Sequence, residues 1–181
     1  IKIIKNRGKG TGTGRGGSSG KTSSDIANDV LKNDDTMTRS FTEGSEKSEE
    51  QTKKELVDLL KSENPEITTE ELIKITNQKM AEKRKVDLSF KGWPGEQFFT
   101  VEIAGETSYA VINRDHPYYT EFYDPLFQLD DSKYVKAVDL LLMAFARMED
   151  EQVTSREEAQ KVRGHWGRHL QNFLDKLKEN N

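Results

Sequence analysis

The chain has no cysteine in its 181 residues. That excludes disulfides and thiolate zinc sites, and the expected setting is the reducing cytoplasm. No apolar run approaches the roughly 20 residues of a membrane-spanning helix, and no signal peptide is visible, so no membrane partner is expected. Aromatic residues are almost missing from the front half. Of two Trp, five Tyr and eight Phe, only Phe41 precedes residue 86. Aromatic side chains carry much of the burial in a small core, which puts the folded unit at 86–181. Acidic residues are absent from 1–24, where Lys2, Lys5, Arg7, Lys9, Arg15 and Lys21 stand alone. Residues 25–50 reverse the sign with eight acids against three bases. The chain opens on Ile1 rather than Met, as a fragment or processed piece of a longer protein would.

Three regions follow from these asymmetries. Residues 1–50 read as a Gly-rich basic, then acidic, leader that is flexible or ordered by a partner; Gly8–Gly20 holds seven glycines among Ser, Thr, Lys and Arg. Within it, Ser23 or Ser24 caps a short helix through about Lys32, with Ile26, Val30 and Leu31 as a thin apolar stripe. Residues 51–85 read as a helical hairpin. Leu56, Val57, Leu59 and Leu60 precede the stop at Asn64-Pro65, and Thr68-x-x-Glu71 is a capping box for a second helix carrying Leu72, Ile73, Ile75 and Met80.

From Val86 the period becomes two. Val86, Leu88 and Phe90, then Phe99, Val101 and Ile103, then Tyr109 and Val111 describe strands separated by Gly92-Trp-Pro-Gly95 and Ala104-Gly-Glu106. The expected fold is α+β, a small three-stranded antiparallel meander packed on C-terminal helices. Pro117 fits a first helical position, and Pro125 is expected to close the segment that follows it. Residues 132–149 are apolar on nearly every side, which predicts a buried helix. Ser155-x-x-Glu158 opens a last helix with Ala159, Val162, Trp166, Leu170, Phe173 and Leu177 at helical spacing. Gly164 and Gly167 on that helix imply a closely packed neighbour.

No catalytic constellation emerges. Gly20-Lys21-Thr22 suggests a phosphate loop, but the required glycine five residues earlier is Arg15, with Gly14 and Gly16 to either side. As a basic arm, Lys2, Lys5, Arg7, Lys9, Arg15 and Lys21, joined by Lys83, Arg84 and Lys85, would follow nucleic-acid phosphates without reading bases. The alternative for the same stretch is a solvated linker. His165 and His169 have chelating spacing, yet only His116 remains as a third histidine, so no metal is assigned. Arg114, Asp115, His116 and Pro117 lie where a strand leaves the sheet and read as a structural corner rather than an acid–base group. No cofactor is expected.

Val101-Glu-Ile103, Asn113-Arg-Asp-His-Pro-Tyr-Tyr119, the apolar helix Ala137–Met148 and Arg163-x-x-Trp-Gly-x-x-Leu170 occur in that order. The series resembles the C-terminal region of gyrase B, Hsp90 and MutL-like (GHKL superfamily) ATP-binding proteins of bacteria and phages. The resemblance covers about residues 86–177. Gln51-Thr52-Lys53 matches a tripeptide that gyrase-type transducer domains use toward ATP, but it sits in a highly charged helical setting and that role is not carried over. The Asp-x-Gly-x-Gly turn of the family's ATP site is missing. The resemblance therefore implies a non-catalytic accessory or transducer-like module, with any ATPase activity in an upstream domain. Such a module would contact DNA, a protein partner, that ATPase domain or a second copy of itself. The alternative is a stand-alone nucleic-acid-binding or assembly subunit that uses the basic arm.

Overall fold

In a computed structural model, the protein is described over residues 21–33, 47–128, 132–152 and 155–179. The elements run α1 (Ser23–Asn33), α2 (Glu49–Glu63), α3 (Thr69–Glu82), β1 (Val86–Lys91), β2 (Phe99–Ala104), β3 (Thr107–Asn113), a π-helical turn (Tyr119–Tyr123), α4 (Asp124–Gln128), α5 (Ser132–Gln152) and α6 (Arg156–Glu179). The class is α+β, as the change of period implies. Helices cover both faces of one small sheet.

The sheet is mixed, not an antiparallel meander. Its order is β1-β3-β2, with β3 parallel to β1 and antiparallel to β2. Only β2 and β3 form a hairpin, through a turn in which Gly105 takes φ +64°. The cause is legible in β3 itself. Tyr109, Ala110, Val111 and Ile112 are apolar on both faces and at most 2% exposed, so the strand belongs in the middle. β1 and β2 alternate with Asp87, Lys91 and Glu102 and take the edges.

The alternation of β1 points Val86, Leu88 and Phe90 to one face, where they meet α1 and α5. The core there includes Leu31, Phe98, Phe99, Ile112, Val135, Leu142 and Met143, with Phe90 and Val101 partly buried against it. Phe90, Val101 and Leu142 therefore share one core, Leu142 buried within it and the other two packed partly buried against it. On the opposite face, Tyr109 and Val111 meet Leu56 and Leu59 of α2, with Met80 and Trp93 packed at the side. The helical hairpin is therefore the second cover of the sheet.

α1 is integral to the first layer. Ser23, Ser24, Asn28 and Leu31 are buried, although they belong to the stretch read as leader. The Asn28 amide donates to the Val86 carbonyl at 2.8 Å, and its Oδ1 accepts the Lys85 N–H at 2.6 Å. One side chain thereby satisfies the exposed edge of β1. The N-terminus of α2 has a capping box between Ser48 and Gln51. Thr68 accepts the Glu71 N–H at the start of α3, and Ser155 accepts the Glu158 N–H at the start of α6.

Pro125 does not end its helix. The chain widens into the π turn, where Asp124 N–H bonds the Tyr119 carbonyl, and continues into α4. A proline has no N–H to give, and the wider turn just before it absorbs that loss.

Candidate functional site

The corner from Asn113 to Tyr119 is densely hydrogen-bonded. Asn113 ends β3 with its side chain fully buried. Its Nδ2 donates to the carbonyls of Trp93 at 2.9 Å and Gln97 at 3.0 Å. Its Oδ1 accepts the N–H groups of Trp93 at 3.1 Å and Asp115 at 3.0 Å. One amide thus ties the β1–β2 connection to the exit of β3. His116, also fully buried, caps the next helical turn: its Nδ1 accepts the Tyr118 N–H at 3.1 Å. His116 rather than Asp115 caps this turn, and the Asp115 side chain stays exposed. Pro117 follows at the first helical position.

Burial lowers the His116 pKa, and an Nδ1 that accepts a hydrogen bond places the proton of the neutral ring on Nε2. Tyr118 stacks on Phe122 and Tyr119 on Tyr123, while Phe98 packs on Tyr118 with centroids 4.7 Å apart. Arg114 lies over the Phe90 ring, with its guanidinium 4.0 Å from Glu63. These contacts tie the exit of β3 to the β1–β2 connection and to the turn that follows.

A buried layer of charge separates β1 from α3, a feature that sequence reasoning missed. Asp87, 1% exposed, receives Lys79 at 2.8 Å, Arg84 at 3.1 Å and the Ser24 hydroxyl at 2.6 Å. Lys79 also stands 5.1 Å from the Tyr109 ring centre. Desolvation opposes the Lys79 charge, but Asp87 and its other neighbours outweigh it and raise the pKa to about 12. Glu63 accepts the Ser89 hydroxyl at 3.3 Å, and burial pushes its carboxyl up to about 7 against the pull of Lys79 and Arg114. The available signal was Asp87 and Ser89 alternating with Val86, Leu88 and Phe90 on a strand whose second face α3 also covers.

Two further carboxylates are buried against hydroxyls. Asp139 accepts from Ser23 at 2.5 Å and Tyr123 at 2.7 Å, and burial raises its pKa. Asp150 accepts from Ser108 at 2.5 Å. Glu149 pairs with Arg163, joining α5 to α6. These groups face one another inside the fold, an arrangement that holds layers together.

Of the basic residues singled out in the sequence, only Lys21, Lys83, Arg84 and Lys85 fall among the described residues. Lys2, Lys5, Arg7, Lys9 and Arg15 lie outside the described residues. Lys21 is exposed and pairs with Asp29. In the 83–85 cluster, Lys83 is exposed at the left-handed end of α3, with φ 46°. Arg84 turns inward to Asp25, Glu82 and Asp87. Lys85 is half-buried, with its amine directed to the Leu31 carbonyl. The three cations therefore do not make one open surface. His165 and His169 are both exposed, and among the described residues no group of three or more His, Cys, Asp or Glu is arranged to hold a metal. Gln51 is engaged in the α2 cap, Thr52 lies against Gly105, and Lys53 is exposed.

The exposed apolar residues are better organised. α5 is not buried on all sides: Tyr134, Ala137, Leu141, Ala144 and Met148 form an exposed stripe, with Leu141 69% exposed. α6 packs by Ala159, Arg163, Gly167 and Leu174, leaving Val162, Trp166, Phe173 and Leu177 exposed on an adjacent stripe. A sheet of only three strands gives these long helices one side to pack on, so their remaining apolar faces stay open.

No protein-family model, no curated protein and no solved structure matches the chain.

Proposed function

We propose that this chain is a non-catalytic accessory module that works by protein contact, in keeping with its resemblance to the C-terminal region of DNA-acting GHKL-type ATPases. The observation that carries the reading is the pair of exposed apolar stripes on α5 and α6. Large apolar residues grouped on a surface mark an interaction site more than singly scattered ones do. The corner at Asn113–Tyr119 supports the same reading, since His116 caps a turn from a fully buried position and is not presented to a substrate. In this view the corner sets the angle between the sheet and α4–α5, and α5 and α6 present the contact surface. The nucleic-acid alternative rests on the arm at 1–24.

The test is the native size of the tagged chain in extract of its source cells. The expected result is an assembly well above the 20.7 kDa of the chain. A Leu141→Ser/Phe173→Ser variant with unchanged circular dichroism should fall back to the size of the chain alone. A wild-type chain that migrates as a lone monomer would remove the reading.

A further inference from the structure

α1 belongs to the first layer but is held there mainly by polar bonds. It is 11 residues long. Leu31 joins the apolar core with Ala27 partly buried against it, while Val30 is 50% exposed. The other contacts are polar. Ser23 donates to Asp139, Ser24 to Asp87 and the Asn28 amide to the Val86 carbonyl, and Asp25 pairs with Arg84. Such bonds add little net stability, because water replaces them when the groups separate. A helix this short is marginal without its docking surface, and undocking returns conformational entropy to it.

The charged groups that α1 would leave behind keep other partners. Asp87 retains Lys79, Arg84 and the Leu88 N–H. Asp139 retains the Tyr123 hydroxyl, and Arg84 retains Glu82 and Asp87. Departure of α1 therefore strands no buried charge. α6 differs: lifting it would take Arg163 from the buried Glu149, and a buried carboxylate without its cation is costly.

α1 covers one short stretch of backbone. The Lys85 and Lys91 carbonyls accept from Ser108 and Arg114 on the β3 side. By the strand's period of two, Val86, Leu88 and Phe90 turn their backbone groups to the open edge. The Leu88 N–H is met by Asp87 and the Phe90 N–H by Glu63. Lys85 and Val86 depend on α1. Asn28 Oδ1 accepts the Lys85 N–H at 2.6 Å and the Val86 N–H at 3.4 Å, and its Nδ2 donates to the Val86 carbonyl at 2.8 Å. One side-chain amide stands where the peptide group of an adjoining strand would pair.

We infer that α1 is a releasable clasp on the edge of the sheet. It opens as a unit while the sheet and α5 stay folded, and its opening bares the backbone of Lys85 and Val86. The docked helix blocks that stretch against pairing with another strand, and only the open state offers it.

Native-state hydrogen exchange of the unmodified chain, followed by NMR from 0 to about 2 M urea, tests this. The amides of residues 27–31, Lys85 and Val86 should share one protection factor, at least about 100-fold below that of residues 109–112 and 142–146 and nearly independent of urea. Leu88 and Phe90 should stay with the slow set. Exchange of α1 at the rate and urea dependence of β3 would overturn the clasp. So would fast exchange of α1 with Lys85 and Val86 still protected, or an α1 with no protection at all. Ser24→Cys and Ser108→Cys give an independent reading in a chain with no other thiol. Both hydroxyls are at most 2% exposed, and each donates to a carboxylate. With circular dichroism unchanged, the thiol at position 24 should react with an aromatic disulfide reagent about 100-fold faster than that at position 108. Equal rates would overturn the inference.

Discussion

Gly167 of α6 lies directly against the backbone of Glu96, so that a Cβ at 167 would overlap the Glu96 carbonyl oxygen and stand 3.0 Å from its carbon. The neighbour is main chain and cannot swing away. Gly164, one turn earlier, meets nothing within 4 Å. The two glycines look equivalent in the sequence and are opposites in the structure. Gly167→Ala should lift α6 from the β1–β2 connection and destabilise the fold by about 1–3 kcal/mol, the usual cost of overpacking. Gly164→Ala should stabilise by about 0.5–1 kcal/mol through helix propensity. Urea unfolding of the two variants measures both signs in one experiment.

Glu63 makes folding stability depend on pH. Its unfolded carboxyl titrates near 4.5 and its folded one near 7, raised by burial. The folded state therefore holds the proton more tightly. This stabilising contribution is fully present below about pH 4.5 and is lost as pH rises through 7, a change on the order of 3 kcal/mol. Glu63→Gln cannot titrate. The stability of the wild type relative to Glu63→Gln should fall between pH 4.5 and pH 7, and denaturant melts at half-unit intervals would trace it. Taking the difference isolates Glu63 from Asp139, whose raised pKa acts in the same sense, and from Asp25, whose lowered pKa acts in the opposite one.

Asn113→Ala should loosen the corner and the β1–β2 connection together. It removes the donors to Trp93 and Gln97 and the acceptor for Trp93 and Asp115. Leaving buried polar groups without partners costs about 1–3 kcal/mol each where water cannot reach them, and a total loss of at least about 2 kcal/mol is expected. Hydrogen exchange should rise across 92–98 and 113–119 and stay slow in the Leu142 region. Uniform loss of protection across the sheet would count against a local staple.

Arg84 and the arm residues should behave differently. Arg84→Gln removes a cation from Asp25, Glu82 and Asp87 and should lower stability by about 1–3 kcal/mol, with nucleic-acid affinity unchanged. Under the nucleic-acid alternative, Ala at Lys2, Lys5, Arg7, Lys9 and Arg15 should abolish binding without altering stability. Fluorescence anisotropy with DNA and RNA at about 50 and 200 mM salt reads the difference, since phosphate contacts weaken steeply with salt.

Local chemistry made much of this protein legible. Helix starts at Thr68 and Ser155 follow from side chains that satisfy nearby backbone N–H groups. The stop at Asn64 follows from Pro65, and the strands follow from period-two alternation. These are interactions over a few residues, and the sequence alone determined them, together with the α+β class. Tertiary structure decided what depends on partners far along the chain. β3 inserts between β1 and β2 because it alone is apolar on both faces, while alternation records only which way side chains point. His116 rather than Asp115 caps the turn after β3, and Asp115 stays outside. Arg84 leaves the basic cluster for carboxylates at positions 25 and 87, and no local pattern encodes that distance. The outer faces of α5 and α6 stay open because periodicity reports that a face is apolar, and only the packing of the whole chain determines whether anything in it covers that face.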